Sequence, residues 1–163
     1  MDSLARAAAE REEYDKVVVR THFGDDEAWQ AVLALAAESW GDDEDADEEG
    51  FESTTYPVDD PTLAGASIEA LRDTLASIDE YLSVVFIADE ETMRHPLHPL
   101  LAVNLDDEPN YLDKEESVFG RQFRIVPRQA SGLHVNLTLA NMDYTDWADT
   151  AKNSADGVFT EFP

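Results

Sequence analysis

The chain has 163 residues, 43% of them hydrophobic, enough for one core that buries roughly 70% of the surface the unfolded chain exposes. Against 37 acidic residues stand 11 basic ones, a net charge of −26, which repels phosphate backbones and anionic lipid head groups and favours basic proteins and cations. There is no cysteine, so disulfides, thiolate nucleophiles and cysteine zinc sites are excluded together.

Residues 2 to 13, Ala-rich with Leu4 as the one large apolar side chain, read as a polar helix that frays. The stretch carries acids early and has no apolar run of signal length, so a soluble cytoplasmic protein is expected. The β-branched run 16-KVVVRTHF-23 is a strand buried on both faces. Asp25 or Asp26 then caps a helix in which Trp29, Val32, Leu33, Ala36, Ala37 and Trp40 recur at helical spacing before Gly41. Next comes 42-DDEDADEE-49, seven acids in eight residues, a self-repelling solvated insertion. It fails as an EF-hand, since Glu48 and Thr54 stand where glycine and glutamate are required.

The segment 51-FESTTYPV-58 is an edge strand, because Pro57 cannot donate to a ladder. A second amphipathic helix, capped by Ser67, puts Ile68, Leu71, Leu75 and Ile78 on one face. The most continuous apolar run, 81-YLSVVFIADE-90, is the expected central strand. Strands follow at 100-LLAVNL-105 and, after a polar excursion from Asp106 to Ser117, at 122-QFRIVP-127. In 133-LHVNLTLANM-142 apolar and polar residues alternate, which predicts a half-buried strand. Asp143 caps a last helix with Tyr144, Trp147, Ala148 and Ala151 on one face, and the Asp156-Gly157 turn sends 158-VFTEF-162 back to pack. The order indicates an α/β fold with a mixed sheet of five to six strands, two crossover helices and a C-terminal helix. Residues 1–14 form a polar helix or tail, and 15–163 a single domain with the acidic insertion at 42–50.

Open α/β sheets bind ligands beyond the carboxyl ends of their strands. Here those ends deliver Arg20, Thr21 and His22 beside Asp25 and Asp26, and Asp89, Glu90 and Glu91 followed by Arg94, His95 and His98. Arg20, Asp89, His95 and His98 are the catalytic candidates, and Arg20, Thr21, Asp25 and Asp26 the ligand-binding ones. Arg20, in a run of valines, needs a carboxylate if it is buried, with Asp89, Asp25 and Asp143 as candidates. In 92-TMRHPLHPL-100 each histidine precedes a proline, which favours polyproline geometry and puts His95 and His98 on one side, roughly 9 Å apart along the axis. A proline-stiffened connector accounts for this pattern without a metal, and no metal site is assigned. No phosphate-binding glycine loop, dinucleotide fingerprint or nucleophile elbow occurs, and no cofactor is expected.

The segments VVVRTHFGDDEAW, FIADEETMRHPLHPLLAVNL, FRIVP and NLTLANMDYTDWAD resemble an uncharacterised family of small bacterial domains, mainly actinobacterial, with no assigned activity. The resemblance spans about Val17 to Phe162 outside the acidic insertion and implies that Arg20, Thr21, Asp26, His95, Pro96, His98 and Pro99 belong to the shared pattern. His22 stands where an acid is expected. The ending NLTLANMDYTDWAD is similar to endings of bacterial toxin-immunity proteins. Three readings follow: a non-catalytic module, inhibitor or immunity-like, that binds a basic protein; a small hydrolase or metal-dependent enzyme using the His/Asp/Arg rim; and a DNA mimic. Nucleic acid and membranes are not expected partners.

Overall fold

The computed structural model describes residues 2–37, 54–105 and 122–161. In chain order these form α1 (Asp2–Glu10), β1 (Lys16–Arg20), α2 (Asp26–Ala36), β2 (Thr55–Val58), α3 (Ile68–Ile78), β3 (Val84–Ala88), α4 (Glu90–Arg94), β4 (Leu100–Asn104), β5 (Gln122–Ile125), α5 (Pro127–Thr138), α6 (Tyr144–Lys152) and β6 (Val158–Phe159). The acidic insertion, Trp40 with Gly41, the 106–117 excursion and Phe162 lie outside the described residues.

The strands make one mixed sheet in the order β2-β1-β3-β4-β5-β6. β1 is parallel to β2 and to β3, β4 is antiparallel to both its neighbours, and β5 is parallel to β6. Only β4 therefore runs against the rest, since α4 is too short to serve as a crossover and returns the chain as an antiparallel neighbour. β3 is interior and β2 is an edge, with Pro57 exposed there.

Alternation along the strands builds two cores. Val18, Phe86, Ala88, Leu100 and Ala102 face α2, α5 and α6, meeting Trp29, Val32, Leu133 and Trp147. Val17, Val19, Val85, Ile87, Leu101 and Val103 face the other way, against Leu71 and Leu75 of α3 and against Leu4 and Ala7 of α1. The N-terminal helix is thus docked rather than frayed: Leu4 and Ala7 share a face three residues apart and are fully buried. Its end is tied by the bidentate pair of Arg11 with Asp79, at 2.8 and 3.2 Å, and by Tyr56 Oη donating to Glu10 at 2.5 Å.

The segment expected as a sixth strand, 133–142, is instead the second half of α5 and the turn after it. Pro127 occupies the first turn, where its missing N–H costs nothing and its φ suits a helix. Residues 130 to 135 are all buried, because α5 lies between the sheet, α2 and the chain around residue 13. A helix buried nearly all round loses its polar stripe, and apolar residues at every second position then mimic a strand. The sixth strand is the C-terminal β6, placed beside β5 with Arg124 opposite Val158.

Candidate functional site

β1 and β3 lie side by side and parallel, with Arg20 opposite Ala88. β1 leads out to β2 on one side and β3 stands on the other, so their carboxyl ends flank a topological switch point. The loop after β1, the start of α4 and the end of β5 meet there. Thr21 is buried in it, its backbone N–H donating to Ala88 at 3.0 Å. The Thr21 carbonyl accepts from Gly65 N at 3.0 Å; Gly65 has φ +70°, a conformation that suits glycine.

Arg20 points into the α2 side of the sheet and is 3% exposed. Its Nη2 donates to Asp26 at 2.7 Å, its Nη1 to Asp59 at 3.3 Å and its Nε to the His22 carbonyl at 2.9 Å. The guanidinium also lies over Phe23, 4.5 Å from the ring centroid, and Trp29, 5.5 Å away. A carboxylate partner is therefore present, but it is not Asp89, Asp25 or Asp143. Asp25 is spent as the cap of α2, accepting from Ala28 N at 3.0 Å, and Asp143 caps α6. The turn after the strand carries Asp26 back over Arg20, and β2 delivers Asp59 from the neighbouring strand end.

Asp89 belongs to a second cluster. Arg124 from β5 reaches across β4 and grips it in two bonds, Nη1 to Oδ1 at 2.9 Å and Nη2 to Oδ2 at 2.8 Å, while its Nε pairs with Glu91 at 2.9 Å. Asp89 also caps α4 reciprocally with Thr92. Thr92 Oγ1 donates to the Pro99 carbonyl at 2.8 Å, locking the connector to the helix. Burial pushes the Asp89 carboxyl up, but the Arg124 bonds and charge, with Thr92, outweigh it and hold its pKa below the usual carboxylate range. Ionised and occupied on both oxygens, Asp89 is a poor proton donor and a weak base.

The connector 92-TMRHPLHPL-100 starts as helix, not polyproline. α4 ends at Arg94, His95 is its extended C-cap, and His98 takes φ 48°. His95 Nδ1 accepts from Leu97 N at 3.0 Å, and His98 Nδ1 donates to the Thr92 carbonyl at 2.8 Å. Both rings thus brace their own turn, and the three-residue repeat fails because His98 lies in the left-handed region. Among the described residues no group of three His, Asp or Glu side chains is arranged to hold a metal ion. His22 folds back over the loop, where a Cβ on Gly24 would meet its Nε2 at 3.0 Å.

The structure brings Arg20, Thr21 and Asp26 together and groups Asp89 with His98 through Thr92. Asp59 and Arg124 were not anticipated. Arg124 carried a legible signal, since an arginine inside a short apolar strand needs a carboxylate for the same reason as Arg20. At the opposite end of the sheet, Lys16 and His134 are also buried: Lys16 Nζ donates to Ser131 Oγ at 2.8 Å, and His134 Nε2 donates to the Glu13 carbonyl at 3.1 Å. A strand over 133–142 turns His134 to a polar face and leaves Ser131 outside it, whereas the helix stacks the two one turn apart.

A family model described as "Domain of unknown function (DUF6924)" matches residues 15–162. The chain belongs to that family. The family's matched region takes in every strand, both charge clusters and α2 through α6, and leaves α1 outside it. No curated protein and no solved structure matches the chain. Among the described residues no helix is long and apolar enough to cross a membrane.

Proposed function

We propose that this domain is a non-catalytic module that binds a basic protein, as an inhibitor or immunity-type partner does. The supporting observation is a segregation of charge. Among the described residues four cations of its ion pairs, Arg11, Arg20, Arg72 and Arg124, are turned inward, with Arg11 and Arg20 side chains 5% and 4% exposed, while Asp26 stands 87% exposed; Arg94, paired with Glu90, is turned outward and the Asp79 partner of Arg11 is buried with it. Arg72 and Arg124 follow the same pattern with Asp73 and Glu91. Where an inward arginine meets an exposed acid, the cation is withdrawn from the surface and the carboxylate stays on it, and with a net charge of −26 such a surface speeds association with a basic partner in a salt-dependent way. Pull-down with the purified protein at low and high salt tests this. One or more basic proteins should be retained at low salt and released at high salt. Deleting residues 42–49, which takes the charge from −26 to −19, should weaken the retention. No protein retained at low salt overturns the reading. Competition for the retained protein by duplex DNA would favour the DNA-mimic version of the same surface.

A second reading, a small hydrolase or metal-dependent enzyme, draws support from the switch point between β1 and β3, where α/β sheets bind small ligands. Thermal shifts with zinc, manganese or magnesium would favour it.

A further inference from the structure

The His134 imidazole is 1% exposed and sits on α5 under the segment that joins α1 to β1. A carbonyl can only accept, so the 3.1 Å contact with Glu13 O puts the proton on Nε2. Nδ1 is then a buried lone pair, and it has no hydrogen-bond partner. Around it stand two cations, Arg11 and Lys16, both held in place by other bonds, with Asp15 and the exposed Glu12 and Glu13 on the covering segment. Asp79 of α3 is committed to Arg11. On α5 itself the neighbours one turn away, Ser131 and Thr138, do not titrate, and α2 carries its titratable side chains, Asp26 and Glu27, in its exposed first turn. A proton on Nδ1 would create a third cation in this setting with an N–H that nothing accepts.

We propose that His134 is an acid-sensitive latch: it holds α1 and residues 11–15 against the domain while neutral, and releases them when Nδ1 is protonated. The covering segment is the element that yields, because it is neither helix nor strand between Arg11 and Asp15. A groove of about 440 Å³ already opens along it, lined by Ala8, Arg11, Glu13, Asp79, Tyr81 and Thr138. The family match begins at residue 15, so α1 and residues 11–14 lie outside the matched region. Release would bare the apolar seat of Leu4 and Ala7 on the α3 side of the sheet.

Burial, with Arg11 and Lys16 nearby, pushes the imidazole down from 6.5 to about 4 in the closed state. Since the released ring regains its ordinary value, linkage makes the open state about 20-fold more populated at pH 5 than at pH 7. Hydrogen exchange on the full chain, corrected for intrinsic rates, should show this loss of protection in the α1 amides, which should exchange much faster than those of β3 and β4 at pH 5. In His134→Gln, which keeps a neutral N–H for Glu13, the acid response should vanish. Equal exchange of α1 and β3 at pH 5, or an undiminished response in the variant, overturns the latch. If the variant does not fold, the wild type decides: NMR titration of the His134 ring must share its midpoint with α1 release, and separate midpoints reject the proposal.

Discussion

At the carboxyl end of the sheet, Arg20 and Arg124 each meet carboxylates at 2.7 to 3.3 Å, and Asp89 responds by holding its charge more firmly than a free carboxyl. At the amino end, Lys16 and His134 are buried at least as deeply but hydrogen-bond only neutral groups, a serine hydroxyl and a peptide carbonyl. Both of their pKa values fall, Lys16 to about 8 and His134 to about 4, because desolvation disfavours the charged form and no carboxylate bond offsets it. The same fold thus fixes the charge of Asp89 at one end and leaves buried groups that respond to pH at the other. A buried charge with an ionic partner is a fixture, and one with a neutral partner is a titration waiting in the accessible range.

The comparison breaks most visibly if the carboxyl end is disarmed. Asp89→Ala removes both bonds to Arg124 and the α4 cap together and should cost about 3 kcal/mol. Denaturant midpoints measure it, and a loss under about 1 kcal/mol would mean that Glu91 alone satisfies Arg124.

The amino end is sharpened by Lys16→Met. With a folded pKa of about 8 against 10.5 unfolded, the unfolded chain binds more protons between those values, so stability rises with pH across that window. From pH 7 to 9.5 Lys16 should add about 2 kcal/mol to the wild type and nothing to the variant. Parallel stability curves for the two proteins would show that Lys16 is not the responsive group.

The smallest effect is expected in the connector. His95→Asn with His98→Asn removes two rings that brace only their own turn, and asparagine tolerates the φ of 48° at position 98. Each change should shift stability by about 1 kcal/mol or less. A normally folded double variant that loses a zinc-induced thermal shift seen in the wild type would instead make these histidines ligands.

Much of this architecture is local enough to be read directly from the residues. The valine run of β1, the caps Asp25, Ser67 and Asp143, the edge marked by Pro57 and the interior place of β3 all follow from short-range preferences. So does the demand of Arg20 for an acid once it is buried, although the burial itself is seen only in the structure. Which acid answers was decided in three dimensions. Asp59 lies 39 positions away and Arg124 lies 35 positions from Asp89, and only strand order brings them into reach. The identity of α5 was likewise tertiary, since period-two alternation holds no information about a helix enclosed on all sides. The buried pair of Lys16 and Ser131 and the ring of His134 under Glu13 depend on that same helix. Local preference selects each element, but the partner of a buried charge is set by packing, where desolvation makes every unpaired group costly.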